Sequence, residues 1–212
     1  MTARRLNREE SQARTRDLLM RSAASCFARL GFDGASVDAI AENAGFSRGA
    51  FYSNFKSKDD LFIELLRRDH EKGTQELNAL RTSDLPVDQI QARARDIYAH
   101  MFRDNESFMT WTEARMMAAR DTRFRAKLDT LMNEKRAQIA AFIQYFYDRV
   151  GIKPEMPPEK MAMGFMSLAE GVRLFMLSSP SEMTASTAEA LLSLFVESIM
   201  NGARQSSQRP TG

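Results

Sequence analysis

Residues 36–61 read SVDAIAENAGFSRGAFYSNFKSKDDL, and this stretch decides the fold. Ser36 can accept from the free backbone N–H groups of a helix start, and Val37, Ile40 and Ala44 then share one face of a short helix. Gly45 ends that helix. Ser47 caps a second one three residues on, with Phe51 and Phe55, four apart, as its buried face. Ser57 with Asp60 marks a third start, leading into Leu61, Phe62, Leu65 and Leu66. Upstream, Asn7 and Glu10 have capping-box spacing for a long helix whose apolar stripe is Leu19, Ala23, Phe27 and Leu30, with Gly31 as its stop. Two short helices joined by a tight Gly-containing turn, braced by a longer helix, fit a helix-turn-helix, which periodicity alone does not separate from another small helical bundle.

Composition agrees with an all-helical chain. The 212 residues include 14 Met but only five Val and eight Ile, and Gly and Pro number 10 and 6. Unbranched side chains lose little rotamer freedom in helices, and β-branched ones favour strands. An all-β or βαβ fold is excluded on that ground. Residues 1–58 carry a net charge of +4 and residues 59–212 a net of −2. A basic first quarter on a mildly acidic body points to a nucleic-acid module joined to a different one. The longest uncharged run, residues 137–147, is shorter than the roughly 18–20 residues a membrane span requires, so no membrane is expected as a partner. One cysteine, Cys26, cannot form an internal disulfide; with no secretory leader expected, the setting is cytoplasmic and reducing. Cys26 itself reads as a small buried hydrophobe.

The expected organisation is a DNA-binding head over 8–60, a helical effector-binding and dimerisation body over 61–200, and a disordered tail over 201–212. The helix from Ser57 to about Leu80 has a polar middle between apolar ends, as suits a bridge between two packed bodies. Further helices are expected near 87–103, 107–120, 122–150, 158–177 and 184–200.

On the second short helix, the face opposite Phe51 and Phe55 presents chemistry suited to double-stranded DNA. Arg48 can reach a guanine edge through a two-pronged donor pair, and Gly49 removes a side chain where another backbone must come close. Tyr52 and Asn54 can donate to phosphates. Lys58 opposes the dipole of the helix it starts, a placement that a docked phosphate would reverse and that Asp59 and Asp60 would also neutralise. With the two caps, the candidate DNA-contacting set is Ser36, Ser47, Arg48, Gly49, Tyr52, Asn54 and Lys58.

The run from Ser36 to Ala41, followed by Ala44-Gly45-Phe46-Ser47-Arg48-Gly49-Ala50-Phe51-Tyr52 and continuing to Leu61, resembles the signature of TetR-family regulators over about residues 11–66. That resemblance implies a three-helix DNA-binding head and a larger helical body for effector binding and dimerisation. It places Arg48, Gly49 and Tyr52 on the recognition helix and Lys58 against the DNA backbone. Asn54 departs from the pattern, which has His or another aromatic polar residue there.

Twelve of the 14 Met lie at or after residue 101. Thioether side chains suit adaptable apolar walls as well as an ordinary helical core. The candidate pocket for a small-molecule effector is Tyr98, Met101, Phe102, Phe108, Trp111, Met116, Met132, Phe142 and Met166, with Glu113 or Arg115 as polar anchor. The last two helices are apolar on more than one face and are read as the homodimer interface: Phe165, Leu168, Gly171, Val172 and Phe175, then Leu191, Leu194, Phe195 and Ile199. No phosphate loop, paired-Cys motif or His-Glu-x-x-His is present, His70 and His100 lie on different helices, and neither an enzyme nor a cofactor or metal is expected. The expected function is a regulator, a repressor in character, that binds a palindromic operator as a dimer and is released by an apolar or amphipathic effector. The alternative is a ligand-binding or scaffold protein docking an acidic partner through the basic bundle.

Overall fold

The computed structural model describes the backbone of residues 7–101 and 105–206, and their side chains except those of 72–73, 98–101, 105–106 and 200–206. Among these residues there are only helices: α1 (Arg8–Gly34), α2 (Val37–Asn43), α3 (Arg48–Asn54), α4 (Lys58–Arg81), α5 (Val87–Met101), α6 (Asn105–Arg120), α7 (Thr122–Val150), α8 (Pro158–Ser178) and α9 (Ala185–Ser206). The tail expected to be disordered from residue 201 is helical to Ser206; residues 207–212 lie outside the described residues.

Local chemistry sets the boundaries of the first helices. Asn7 Oδ1 accepts the Glu10 N–H at 2.7 Å and Glu10 Oε2 accepts the Asn7 N–H at 2.8 Å, a complete capping box. Ser36 Oγ accepts from Ala39, Ser47 Oγ from Ala50 and Ser57 Oγ from Asp60. Gly45, at φ 77°, donates to Glu42 O while Phe46 donates to Ala41 O, the paired reverse bonds that close α2. Gly31 kinks α1 at φ 70°. That left-handed residue redirects the chain, so Leu30 lies half-exposed and Phe32 takes the buried place expected for it.

The chain divides into two compact units, the first formed by residues up to Asp69 together with Glu106–Asp129, and the second by His70–Asn105 and the residues from Thr130 onward. This differs from a head ending at residue 60. The first unit takes in α6 through the Phe32 N–H that donates to Glu113 and the Trp111 indole that donates to Asp69, and the start of α7 through an aromatic cluster: Phe62 lies 5.0 Å from Phe27, 4.9 Å from Phe32 and 5.9 Å from Phe124, centroid to centroid. Lys127 also pairs with Asp60 at 2.7 Å. Cys26 is buried here as a small apolar side chain, with the Asn43 amide 3.4 Å from its sulfur.

The second unit packs Leu77, Leu80, Ile90, Ala94, Ile97, Phe142 and Phe146 as its core. α8 and α9 meet closely at Gly164, where an added Cβ would come within 3.2 Å of the Phe195 ring. By length and composition α8 is apolar enough to cross a membrane. It nevertheless carries Glu170 and Arg173 in its interior and buries Ala162, Phe165, Met166 and Val172 in the unit's core, as a packing helix does.

Candidate nucleic-acid interface

α3 is only seven residues long, too short to hold its shape alone, and its neighbours fix it. Phe51 and Phe55 are buried beneath it, ring centroids 5.7 Å apart. Arg16, from α1, donates to the Asn54 carbonyl at 2.6 Å, lies 4.1 Å over the Phe55 ring and pairs with Glu64 at 3.4 Å. A cation on the last carbonyls of a helix complements the negative end of its dipole. Arg16 was not among the residues singled out in the sequence. Nothing in its local spacing connects it to a carbonyl 38 positions away.

The outward face of α3 carries Arg48, Gly49 and Tyr52 together, all exposed, with Tyr52 at 47%. Arg48 Nη1 donates to Asp38 Oδ2 at 2.6 Å, and Nη2 lies 3.4 Å from the Tyr52 hydroxyl oxygen. The guanidinium also sits 5.5 Å from the Tyr52 ring centroid. At Gly49 an added Cβ would meet only Ser47 Oγ, at 3.7 Å, an ordinary contact. The fold therefore does not require glycine there. Ser36 and Ser47 are exposed, with each hydroxyl oxygen occupied as a helix cap.

Two residues expected to contact phosphate, Lys58 and Asn54, have protein partners. Lys58 Nζ donates to Phe32 O at 2.7 Å and Ala35 O at 3.0 Å, and stands 4.2 Å from the Phe32 ring centroid. The awkward cation at the start of α4 is thus explained by the C-terminal carbonyls of α1, and no phosphate is needed to account for it. The Asn54 amide nitrogen turns inward to Ala50 O at 2.8 Å, leaving its buried Oδ1 without a partner. An amide committed to its own helix is a poor phosphate donor.

Residues 19–65 match the family described as bacterial regulatory proteins, tetR family. An HTH-type transcriptional repressor of Mycobacterium tuberculosis is 39% identical over 64 residues, which are 30% of this chain and 34% of that protein. Residues 19–65 are thus similar in sequence to the TetR family. A TetR-family regulator from Rhodococcus sp. superposes with a TM-score of 0.75 at 22% identity, covering 89% of this chain and 99% of that one. The regulator FadR from Bacillus subtilis, solved in complex with stearoyl-CoA, gives 0.70 at 15% identity, covering 88% and 98%. At such identities these two establish the fold alone. The sequence match spans about a third of its curated relative's length.

The expected pocket residues with described side chains are divided between the two compact units. Tyr98, Met101 and Phe102 lie outside the described side chains. Phe108 is buried in the first unit, and Trp111 Nε1 donates there to Asp69 Oδ2 at 2.7 Å. Met116 is 51% exposed, on the side of α6 opposite buried Ala114 and Ala118. Met132, Phe142 and Met166 are buried in the second unit, where Phe142 borders a cavity. That cavity is apolar, about 30 Å³, and lined by residues including Ala94, Ile139, Phe146 and Val196.

The expected dimer face divides as well. Phe165 and Val172, 6% and 2% exposed, point into the protomer's own core, whereas Phe175 is exposed. Leu168, Phe195 and Ile199 are half-buried, and Ile199 O accepts the Tyr147 hydroxyl at 2.6 Å. Gly171 meets nothing within the chain, and the close approach of α8 and α9 within one protomer is at Gly164. Leu174, Phe175 and Leu177 on α8, and Leu191 and Leu194 on α9, are among the large apolar side chains left exposed.

Proposed function

We propose that this chain is a transcriptional regulator of the TetR family, a repressor, that reads double-stranded DNA by seating α3 in the major groove. The carrying observation is Gly49: it is flanked by exposed Arg48 and Tyr52, and its missing side chain leaves space the fold itself does not use. Close approach of a DNA backbone would use that space. Arg48 then meets a base edge and Tyr52 a phosphate, with the exposed caps Ser36 and Ser47 bordering them.

The reading extends to two copies on a palindromic operator in the cytoplasm. The apolar side chains left exposed on α8 and α9 suit a two-fold helical interface, which would set two recognition helices one groove repeat apart. Release by a small apolar or amphipathic effector fits the apolar wall of Ile139, Phe142, Ile143 and Phe146. A cavity of about 30 Å³ is far below the roughly 300–1,000 Å³ of ordinary ligand pockets, so the effector must select an opened form. Stearoyl-CoA in the similar Bacillus subtilis regulator is a precedent for a ligand in this fold.

The test is duplex selection from a random pool, followed by titration of the winning sequence across salt concentrations. The expected result is a palindrome whose log affinity falls linearly with log salt, with a slope of about −0.9 per phosphate contacted. A salt-independent affinity would overturn the reading.

A further inference from the structure

The ion pair between Asp38 and Arg48 joins two helices at the centre of the exposed face. Asp38 sits in the first turn of α2, Arg48 in the first turn of α3, and each is more than half exposed. An acidic residue here is unhelpful for general affinity, since it repels the phosphates that the surrounding cations would attract. An exposed pair of this kind also adds little to stability, about 0–1 kcal/mol. Asp38 also complements the positive end of α2, worth about 0.3–1 kcal/mol, but that needs no partner on α3, and non-specific attraction to DNA does not account for the pairing with Arg48. Its geometric effect is larger than its energy. Asp38 accepts from Nη1, the Tyr52 oxygen lies within reach of Nη2, and the Tyr52 ring borders the guanidinium plane.

We propose that Asp38 is a positioning residue for sequence discrimination, holding Arg48 in the orientation from which it reads a base edge. This rests on the DNA-reading role of α3. An arginine has a long, flexible stem and would otherwise reach the nearest phosphate, where it contributes affinity without specificity. The guanidinium has five N–H donors, and Asp38 and Tyr52 take two of them. Three remain, enough for a two-pronged contact with guanine. Tyr52, whose oxygen accepts from Arg48, keeps its own proton for a phosphate. Asp38 thus trades non-specific attraction for a fixed reading geometry.

The experiment uses the full chain and compares wild type, Asp38→Asn, Asp38→Glu, Arg48→Ala and the Asp38→Asn/Arg48→Ala double variant. Affinities are measured for the selected duplex and for a scrambled one, with melting curves confirming equal folding. Asp38→Asn should bind scrambled DNA more tightly, and its ratio of specific to scrambled affinity should fall by about threefold or more, a part of the roughly 5- to 150-fold that loss of a whole two-pronged contact would cost. Asp38→Glu should recover part of the lost ratio. In the Arg48→Ala background, Asp38→Asn should leave the ratio unchanged. A uniform tightening on both duplexes, with the ratio preserved, would make Asp38 a mere repelling charge and overturn the inference. Absence of any duplex binding by wild type would instead overturn the DNA reading itself.

Discussion

Glu113 on α6 accepts a hydrogen bond from the backbone N–H of Phe32, just beyond the Gly31 kink of α1. The same residue's carbonyl accepts from Lys58 on α4 at 2.7 Å. One residue at the end of α1 is therefore gripped from both sides, its donor by α6 and its acceptor by α4. Both partners lie in the first compact unit. Glu113 was expected as an anchor in an effector pocket, and its role here is to satisfy a helix end.

Removing that acceptor leaves the N–H of buried Phe32 without its partner. Glu113→Ala should destabilise the fold by about 1–3 kcal/mol, the usual penalty for an orphaned buried donor. Glu113→Gln keeps an acceptor and should lose less. Urea denaturation of both variants measures the difference; equal losses would assign the effect to charge rather than to the bond.

Lys58→Met keeps the aliphatic stem and deletes the ammonium that serves Phe32 O and Ala35 O. It should destabilise by about 1–3 kcal/mol, since bonds to charged groups are stronger than neutral ones. The salt dependence of DNA binding should keep its slope. A slope shallower by about one unit would restore Lys58 to the phosphate-contacting set.

Gly45 and Gly49 should respond in opposite directions to alanine. Gly45 sits at φ 77° with open space around it, so Gly45→Ala should lose about 1–2 kcal/mol through backbone strain alone. Gly49 is helical and uncrowded, so Gly49→Ala should stabilise by about 0.5–1 kcal/mol. It should nevertheless weaken operator binding. Melting temperature and duplex affinity moving in opposite directions would be the signature.

Acid should weaken the first unit. The hydrogen bond from Arg68 holds the Asp17 carboxyl below its ordinary 3.8, and the hydrogen bond from Lys127 does the same for Asp60. A depressed folded-state pKa contributes stability that is present above the unfolded value and lost as pH falls through the folded one. Urea midpoints should therefore drop as pH falls below about 4. Asp60→Asn should be less stable than wild type at pH 7 and flatten that decline, with the gap closing under strong acid.

Leu194 is 65% exposed on α9. Leu194→Glu should leave the protomer's melting nearly unchanged and shift its sedimentation from dimer to monomer. An unchanged dimer would place the interface elsewhere.

The sequence determined whatever is decided within a few residues. Asn7, Ser36, Ser47 and Ser57 find their N–H partners three positions on, and Gly45 closes α2 through neighbours, so the helix-turn-helix was legible from one stretch. Gly49 and Tyr52 were legible as outward-facing because Phe51 and Phe55 define the opposite side. Tertiary structure decided which partner each long charged side chain takes. Arg16, Lys58 and Glu113 reach carbonyl or amide groups 38, 26 and 81 positions away, beyond any local pattern. It also decided which apolar stripe faces inward. Periodicity shows which side chains share a helix face but not what that face meets, so Phe165 and Val172 could be grouped with Phe175 although the chain's own core takes the first two and leaves the third outside.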